Sequence, residues 1–529
     1  MKIINKLLYT VALVSVFGLG STSCSDFLEE YSQDLAKVEG WSDLDELLLG
    51  SAYFPPANLG NNTGNLDILH FMTDEISPRI DYNSKDAYGS SYTDDMFPFI
   101  AWQPDTGVDK LGNYVGGDSK YWDDLYKRIN VCNMIIELID EQPDCKNGDA
   151  LEKQRVKGEA HFLRGAYYFF LVNLYGKPYN PATADSDLGV PVKLTGIIED
   201  VEFERVPVIE TYRQILSDLD DAEKFLSETP SKSVYRGDIV ATNLLQSRVY
   251  LYMQNWEKAA EYAEKVLAKK SALLNLRTKS PGDECIYKES PETIFSSGGY
   301  AIASAFADTE GWFGDFDATY IVSEDMRNLY GHDDLRANLY IGQAEIFGAD
   351  YAFRKVNGQR SKYSFYCTVS STFLLRTPEA YLNYAEAMAY LGKDSEACKK
   401  LDSYLGTRMD NFESLDLTGN ELIDFIREER AREFLLEGHR WFDLRRYTVC
   451  QPYPWSKTIT HDYLFYDDNN YIVDYVNRYV LEKNDAAYTL PIPRAIRNFQ
   501  VSLGNNPRPD RQPVRYTPEE DDNDDDYDW

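Results

Sequence analysis

The sequence predicts a mostly α-helical protein in which a scaffold of paired helices carries a loop-rich, irregular second lobe. Three observations lead to this fold class. Long blocks place apolar residues three or four positions apart, which is the spacing of one buried helix face. Some adjacent blocks space small alanines as tetratricopeptide (TPR) helix pairs do. Between the blocks lie long stretches rich in aromatic residues, Gly and Asp.

The helical blocks alternate with the loop-rich stretches along the chain. Block 151–175 shows the helical period plainly, because its apolar residues fall on one stripe that must face a core. The members of this stripe are Ala160, Leu163, Tyr167, Phe170 and Leu174. The full set of blocks is 121–141, 151–175, 209–228, 238–253, 256–269, 376–392, 394–407 and 419–447.

Two neighbouring blocks, 238–253 and 256–269, carry the TPR-like pattern. Small side chains let the second helix of such a pair pack close to the first. The pattern consists of Tyr250, Trp256, Ala259, Ala263 and Leu267, and segment 380–405 repeats it with Ala385, Ala389 and Ala397. A simple helical hairpin would need similar alanines, so both arrangements stay open. TPR units would have to stack, because each buries its faces against its neighbours.

No linker rich in Pro, Gly and Ser divides the chain, so residues 24–529 are predicted to form a single domain. TPR-type helices should lie within about 121–269 and 376–447. The variable, loop-rich parts are about 50–120, 270–375 and 448–529. Loops this long are uncommon in compact domains unless they are functional, so we expect them to rest on the helices as a second lobe. Eight of the twelve residues 518–529 are acidic, which predicts a solvated tail.

The N-terminus has the features of a secretory signal. Lys2 and Lys6 precede an apolar run at 7–19, which is shorter than the roughly 20 residues that a membrane span needs. Small residues then lead to Cys24, so residues 1–23 are predicted to be a signal peptide with Cys24 as the lipid-modified residue of a lipobox. Ser21 departs from the usual pattern, which has Leu there. An ordinary signal cleaved nearby, with Cys24 a bystander, is the alternative.

Charge and cysteine usage exclude several classes of function. A net charge of −33 repels nucleic acid and anionic headgroups, so no nucleic-acid partner is expected. The six cysteines after Cys24 show no CxxC spacing, which argues against a disulfide scaffold. None of the five histidines is paired at HxxxH spacing, so neither a metal site nor a cofactor is expected.

Four motifs in order give the chain its family resemblance. They are Gly-Glu-Ala-His-Phe-Leu-Arg-Gly-Ala-Tyr-Tyr-Phe at 158–169, Arg-Thr-Pro-Glu-Ala-Tyr-Leu-Asn-Tyr-Ala-Glu-Ala at 376–387, the Arg/Glu-rich run at 426–445 with Gly-His-Arg-Trp-Phe-Asp, and Leu-Pro-Ile-Pro at 490–493. Together with Cys24 and the acidic residues that follow it, this order resembles the SusD/RagB family of outer-membrane nutrient-binding lipoproteins. The resemblance covers essentially the whole chain after the signal.

The resemblance implies both a fold and a role. The fold would be four TPR-like helix pairs with a variable face that binds ligand. The protein would be anchored in the outer membrane through Cys24, exposed at the cell surface, and would pass its ligand to a SusC-like TonB-dependent transporter. Glycans are the usual ligands, whereas the RagB branch takes peptides. Members of the family are not expected to be catalytic.

Charged residues inside the motifs are interpreted as a structural network. Glu429, Arg430 and Glu433 share one helix, and the helices that carry the other members should pack nearby. Buried ion pairs of this kind can fix how helices align, because a lone buried charge is costly. The other members are Arg164, Arg376 and Glu386. The alternative, a carboxylate pair for glycoside hydrolysis, has weak support, because the spacing suits pairing between helices.

Ligand-contacting residues are predicted in two stretches. In the first, Asp74, Arg79 and Trp102 match the order of an acid, an arginine and a tryptophan that contact sugar in starch-binding relatives, and Tyr88 and Tyr92 lie between them. Aromatic rings suit sugars because the C–H faces of a sugar stack on them. For Trp102 the alternative is a ring that plugs the core below the loop.

The second stretch contains Trp312 and Phe313, which are flanked by Gly311 and Gly314. Aromatic rings between glycines are often displayed at a loop tip. No GxSxG, P-loop or local Cys/His signature indicates an enzyme, so no catalytic residue is predicted. A secreted glycoside hydrolase remains as a distant alternative, and a peptide-binding RagB-like protein as the nearer one.

Overall fold

Helices dominate the computed structural model of the protein. It describes residues 38–55, 66–79, 89–297, 309–311, 314–316, 320–342, 351–356, 368–466 and 473–517. For residues 89–93, 309–311 and 314–316 it describes the backbone alone. Several predictions fall outside this part: the signal peptide and Cys24, Tyr88, the side chain of Tyr92, Trp312, Phe313 and the acidic tail.

The helices are numbered in chain order over the described residues. They are α1 (Trp41–Leu47), α2 (Ile68–Phe71), α3 (Gly89–Ile100), α4 (Lys120–Leu138), α5 (Asp149–Tyr175), α6 (Val208–Leu226), α7 (Ile239–Tyr252), α8 (Trp256–Lys269), α9 (Glu324–Arg327), α10 (Arg336–Tyr340), α11 (Thr377–Tyr390), α12 (Asp394–Leu405), α13 (Gly419–Glu433), α14 (Arg440–Tyr447) and α15 (Arg494–Phe499). Leu48–Ala52 continues α1 as a π-helical turn.

The strands are short and antiparallel. They are β1 (Ile76–Pro78), β2 (Thr293–Ser296), β3 (Thr309–Gly311), β4 (Gly314–Phe316), β5 (Tyr320–Val322), β6 (Ile341–Gly342), β7 (Ala352–Phe353), β8 (Leu374–Arg376), β9 (Ile459–Tyr466), β10 (Val473–Leu481) and β11 (Val514–Tyr516). β1 pairs with β5, β2 with β8, β3 with β4 and β6 with β7, while β11, β10 and β9 form a three-stranded sheet.

Helix α5 is the centre of the first helical group. It packs against α4 on one side and α6 on the other, and its C-terminal two-thirds are buried. Gly158 and Gly165 lie two helical turns apart, so they share the face that meets α6. A Cβ on Gly158 would lie 2.6 Å from Cγ of Leu226, so the absence of a side chain lets the two helices approach this closely.

A second group forms around α11, which packs against α8, α12 and α13. Helices α7 and α8 also pack together, and the Ser247 hydroxyl donates to the Ala259 carbonyl at 2.8 Å. Ala259 and Ala263 are fully buried on α8, as their predicted role in close packing requires. At the next contact, Trp256 stacks on Tyr390 with ring centroids 4.1 Å apart. Stacking of these pairs as TPR units stays a prediction.

Two stretches differ from their predicted form. The block predicted at 419–447 is two helices, because the chain turns between them where Leu436 and Gly438 adopt positive φ angles. The part predicted to be loop-rich at 448–529 contains the three-stranded sheet. The described helices do not include any that is long and apolar enough to cross a membrane. The five cysteines within the described residues are all free thiols.

Candidate functional site

Residues 72–75 form a buried polar hub to which four distant parts of the chain are bonded. The Trp102 indole donates to the Met72 carbonyl at 3.1 Å, and His461 of β9 meets the Thr73 carbonyl at 2.6 Å. Ser323, which precedes α9, binds the next two carbonyls through its hydroxyl and its amide. The hub therefore fixes the stretch 66–79, in which the sequence predicts ligand contacts.

Asp74 is part of this hub and is almost fully buried. Arg440 of α14 donates to both carboxylate oxygens at 2.8 Å, and Lys457 donates to one of them at 2.9 Å. Burial acts to raise the pKa of Asp74, but Arg440 and Lys457 outweigh it and hold the pKa well below its usual range. With its oxygens turned to these two cations, Asp74 offers no open surface for a sugar in this structure.

Trp102 is likewise enclosed. Its ring is fully buried and stacks on His461 with centroids 4.3 Å apart. Both nitrogens of His461 face backbone carbonyls, at 2.9 Å from Ile100 and 2.6 Å from Thr73. Burial lowers the pKa of His461, although the two carbonyls act in the opposite direction. Trp102 thus packs in the core, which was the alternative to sugar contact. A direct sugar contact would require the ring to be uncovered.

The other predicted ligand residues are less enclosed or lie outside the described residues. Arg79 is half-buried at the end of β1. Tyr88, Trp312 and Phe313 are not described, and of Tyr92 only the backbone is. Their roles stay predictions.

A pair beside the hub, the half-buried Arg327 and the exposed Tyr351, was not predicted from the sequence. The guanidinium of Arg327, the last residue of α9, lies 3.5 Å from the centroid of the Tyr351 ring. Tyr351 is 45% exposed, and Arg327 covers one face of its ring. Tyr351 precedes β7, and its carbonyl accepts from the Val322 amide at 3.0 Å in β5, the strand that pairs with β1.

Two features make this pair a candidate for ligand contact. Among the described residues Arg327 has no acidic partner, and its buried Nε has no acceptor. Tyr351 has a φ of +66°, which is rare for a residue with a bulky side chain and is often found at functional positions. The sequence signal for it was weak: Tyr351 follows Gly348 and Asp350, which resembles the glycine-flanked aromatics at 311–314.

The predicted charge network is divided into three separate clusters. In the first, Glu433 lies between three arginines, 3.0 Å from Arg376, 3.0 Å from Arg408 and 3.2 Å from Arg336. Burial acts to raise the pKa of Glu433, but these arginines hold it well below the usual value. Glu429 joins the same cluster through Arg336. These groups connect α13 to α10, to β8 and to Arg408, which follows α12, as the predicted structural network would.

Glu386 and Arg430 belong to the second cluster. Arg446 of α14 donates to both oxygens of Glu386, one of them at 2.7 Å, and Arg430 lies 3.0 Å from Asp443. Arg164 is elsewhere, because it bonds to Asp218 of α6 at 2.6 Å. The expectation that Arg164 packs near the others is therefore corrected: α5 faces α6 at this position, not α13.

Within the described residues no group of His, Cys, Asp and Glu is placed to hold a metal ion. Carboxylates buried at Asp74, Glu386 and Glu433 are each bonded to arginine, which leaves them acceptors of hydrogen bonds and not donors of a proton to substrate.

Comparison with known proteins places the chain among relatives of one family. Residues 67–251 match a family described as "Starch-binding associating with outer membrane" (SusD-like), and residues 349–508 match the SusD family. SusD-like protein P38 of Formosa agariphila is 24% identical over 406 residues, covering 65% of this chain and 76% of that protein. SusD-like protein P2 of the same organism is 27% identical over 164 residues, 30% of each chain.

Solved structures agree in fold. A SusD-like carbohydrate binding protein from Bacteroides vulgatus superposes with a TM-score of 0.64 at 19% identity, covering 88% of this chain and 97% of the other. A SusD superfamily protein from Bacteroides thetaiotaomicron superposes with a TM-score of 0.63 at 21% identity, covering 89% of this chain and all of the other. At such identities the likeness speaks for the fold alone.

Proposed function

Because the chain belongs to the SusD family, we propose that it captures a glycan at the cell surface and delivers it to a SusC-like TonB-dependent transporter. Family membership supports carbohydrate binding at the outer membrane as the general role. Surface exposure, the lipid at Cys24 and the transporter partner are the finer parts of the proposal. The signal-like N-terminus and the lipobox-like Cys24 support the anchor.

The observation that carries the ligand assignment is the Arg327–Tyr351 pair, in which the tyrosine is exposed. A pyranose ring has apolar C–H faces and polar edges, so it needs a flat apolar surface with hydrogen-bond donors beside it. The exposed part of the Tyr351 ring supplies the surface, and the guanidinium of Arg327, which has no acidic partner among the described residues, supplies donors in a fixed plane. Since Arg327 covers the back of the ring, it also holds the tyrosine in place for the ligand.

We propose that the protein does not alter the glycan chemically. General acid–base hydrolysis needs two carboxyl groups facing a cleft, one of them able to donate a proton. Asp74, Glu386 and Glu433 are bonded to arginines, so they are poor candidates for that role. Glu75 has no arginine partner, but it is fully buried, with its oxygens bonded to the Leu436 amide and the Thr73 hydroxyl.

A binding screen tests the proposal. The chain without residues 1–24 would be tested by affinity electrophoresis against a panel of soluble polysaccharides and, separately, against a peptide mixture. For a polysaccharide that is retained, Tyr351→Ala should weaken binding by about three- to tenfold, the loss expected for one stacked aromatic contact. Tyr235→Ala is the matched control, because Tyr235 is 42% exposed and should leave binding unchanged.

The outcomes separate the alternatives. Binding to peptides alone would replace the glycan with the RagB-like role, and release of reducing ends from a polysaccharide would show an enzyme. Glycan binding that Tyr351→Ala leaves intact would keep the general role and remove Tyr351 from the contact surface. Both variants should remain folded, with similarly small decreases in thermal unfolding temperature, since each side chain is more than 40% exposed and makes one polar or cation–π contact.

A further inference from the structure

Two segments about three hundred residues apart in sequence expose large apolar side chains together. Ile198 is 93% exposed in the loop between α5 and α6, and Phe499, the last residue of α15, is 83% exposed. Their neighbours Ile197, Val201 and Val501 are also exposed. We call these five residues the apolar patch. Monomeric proteins expose single apolar residues routinely, but adjoining ones of this size mark surfaces that other molecules cover.

Specific hydrogen bonds hold the two segments of the patch together. The Gln500 side chain accepts from the Phe203 amide at 2.8 Å and donates to the Val201 carbonyl at 3.2 Å. The Ser502 hydroxyl donates to the Phe203 carbonyl at 3.0 Å. Because Gln500 lies between Phe499 and Val501, its inward bonds direct both flanking side chains outward. The patch is therefore a fixed surface, not the product of a loop that has failed to pack.

Each of the two segments is also held from behind by specific contacts. The Asp118 carboxylate accepts from the Arg494 amide at the start of α15, and the Glu137 carboxylate accepts from the Gly196 amide at 3.2 Å. A Cβ on Gly196 would lie 2.6 Å from Cγ of Met134, so the loop lies directly on α4. Apolar side chains on a rigid surface lose little conformational freedom when a partner covers them, which favours binding.

The charges around the patch indicate the kind of partner. Glu199, Asp200, Glu202 and Glu204 are all exposed in the same loop. Two cations of these segments bond to backbone carbonyls, Lys193 to that of Ile197 at 2.6 Å and Arg497 to that of Ile492 at 2.9 Å. A second copy would bring the same acids against these, and anionic headgroups would be repelled. A protein with an apolar centre and a rim of Lys and Arg fits best.

We propose that the apolar patch is the surface through which this protein docks on its outer-membrane partner, a protein that presents an apolar area rimmed by basic residues. The inference rests on the proposed function, in which that partner is the transporter. The patch is separate in sequence from the Arg327–Tyr351 pair, so the two surfaces can be tested independently.

Site-specific photocrosslinking in the native host, with the full-length lipoprotein, tests the assignment. A benzophenone amino acid would replace Ile198 or Phe499, and Leu111, which is 73% exposed in another loop, is the matched control. We expect about tenfold more crosslinked product at the two patch positions than at the control, with the partner identified by mass spectrometry as an outer-membrane transporter. The double variant Glu199→Lys/Glu202→Lys should reduce the product several-fold, because it reverses the charge of the rim.

Other outcomes would overturn the inference. A crosslink to a second copy or to lipid would assign the patch to that occupant instead, and equal product at Leu111 would show that contact there is not specific. If crosslinks to a transporter form only at positions outside the patch, the proposed delivery to a transporter would stand, but the patch would be rejected as the docking surface. Loss of glycan binding with patch crosslinks intact would instead reject the proposed ligand. Thermal unfolding of Ile198→Ser/Phe499→Ser should match that of the unaltered protein, since neither side chain is buried.

Discussion

The stability of this protein should depend on the proton of one buried carboxyl group, Glu75. One oxygen accepts from the Leu436 amide at 2.8 Å, and the other lies 3.1 Å from the Thr73 hydroxyl. That hydroxyl is also 3.1 Å from the His70 carbonyl, and its single proton can serve only one of the two. If Glu75 is protonated, it donates to Thr73, and Thr73 donates to His70, so every group is satisfied.

Burial agrees with this assignment. It raises the pKa of Glu75 to about 8 from the usual 4.5, and the neighbouring negative charge of Asp74 adds to the increase. Folding therefore binds a proton between these two values. The contribution of Glu75 to the free energy of unfolding is fully present below pH 4.5 and is lost as the pH rises through 8. The slope is about 1.4 kcal/mol per pH unit in that interval.

Glu75→Gln tests this reasoning. The amide reproduces the protonated acid, since its oxygen accepts from Leu436 and its NH₂ donates to Thr73, but it does not titrate. We expect the unaltered protein to lose about 2–3 kcal/mol relative to Glu75→Gln between pH 5 and pH 7. Urea unfolding followed by tryptophan fluorescence measures this difference. Glu413→Gln, at an exposed position, is the control and should remain parallel to the unaltered protein. Parallel curves for Glu75→Gln would refute a protonated Glu75.

Three further predictions concern the scaffold. Glu433→Gln should cost about 3–5 kcal/mol in unfolding free energy, because three buried arginines lose the charge of their shared partner. Glu428→Gln, on the exposed side of α13, should cost under about 1 kcal/mol. Equal losses for the two variants would contradict the proposed role of the cluster. Trp102→Ala should cost about 3–5 kcal/mol yet leave the glycan affinity of the folded protein unchanged in titration calorimetry. Gly158→Ala should cost about 1–3 kcal/mol in thermal unfolding through overpacking against α6, whereas Gly331→Ala, which has open space, should be neutral.

The family and the mostly helical fold were predictable from sequence, and both are confirmed. Helix α5 could be located because the apolar residues of its buried stripe recur every three or four positions within one continuous segment. The sheet of β9 and β10 was missed because its strands do not alternate cleanly: Tyr463, Leu464 and Phe465 are consecutive and all buried. Burial on both faces removes the period of two from which a strand is recognised.

The candidate site was harder to predict because its geometry depends on contacts between remote residues. Asp74 and Arg440 are 366 positions apart, so no local pattern could reveal that the acid already has a partner. The same holds for Trp102 and His461, whose stacking turns a predicted sugar platform into part of the core. Sequence order matched Asp74, Arg79 and Trp102 to sugar contacts, but order carries no information about burial.

The distribution of charged residues links the buried clusters to the exposed surfaces. The chain has 87 acidic residues and 54 basic ones, and many of the buried arginines bind one or more carboxylates. The surface is consequently left with an excess of acid, as around the apolar patch. Arg205, Arg445 and Arg508, which have no acidic partner among the described residues, bond to backbone carbonyls instead. Arg327 has none among the described residues and instead lies against Tyr351. The cost of leaving this charge unpaired is easiest to understand if a ligand supplies the missing acceptors.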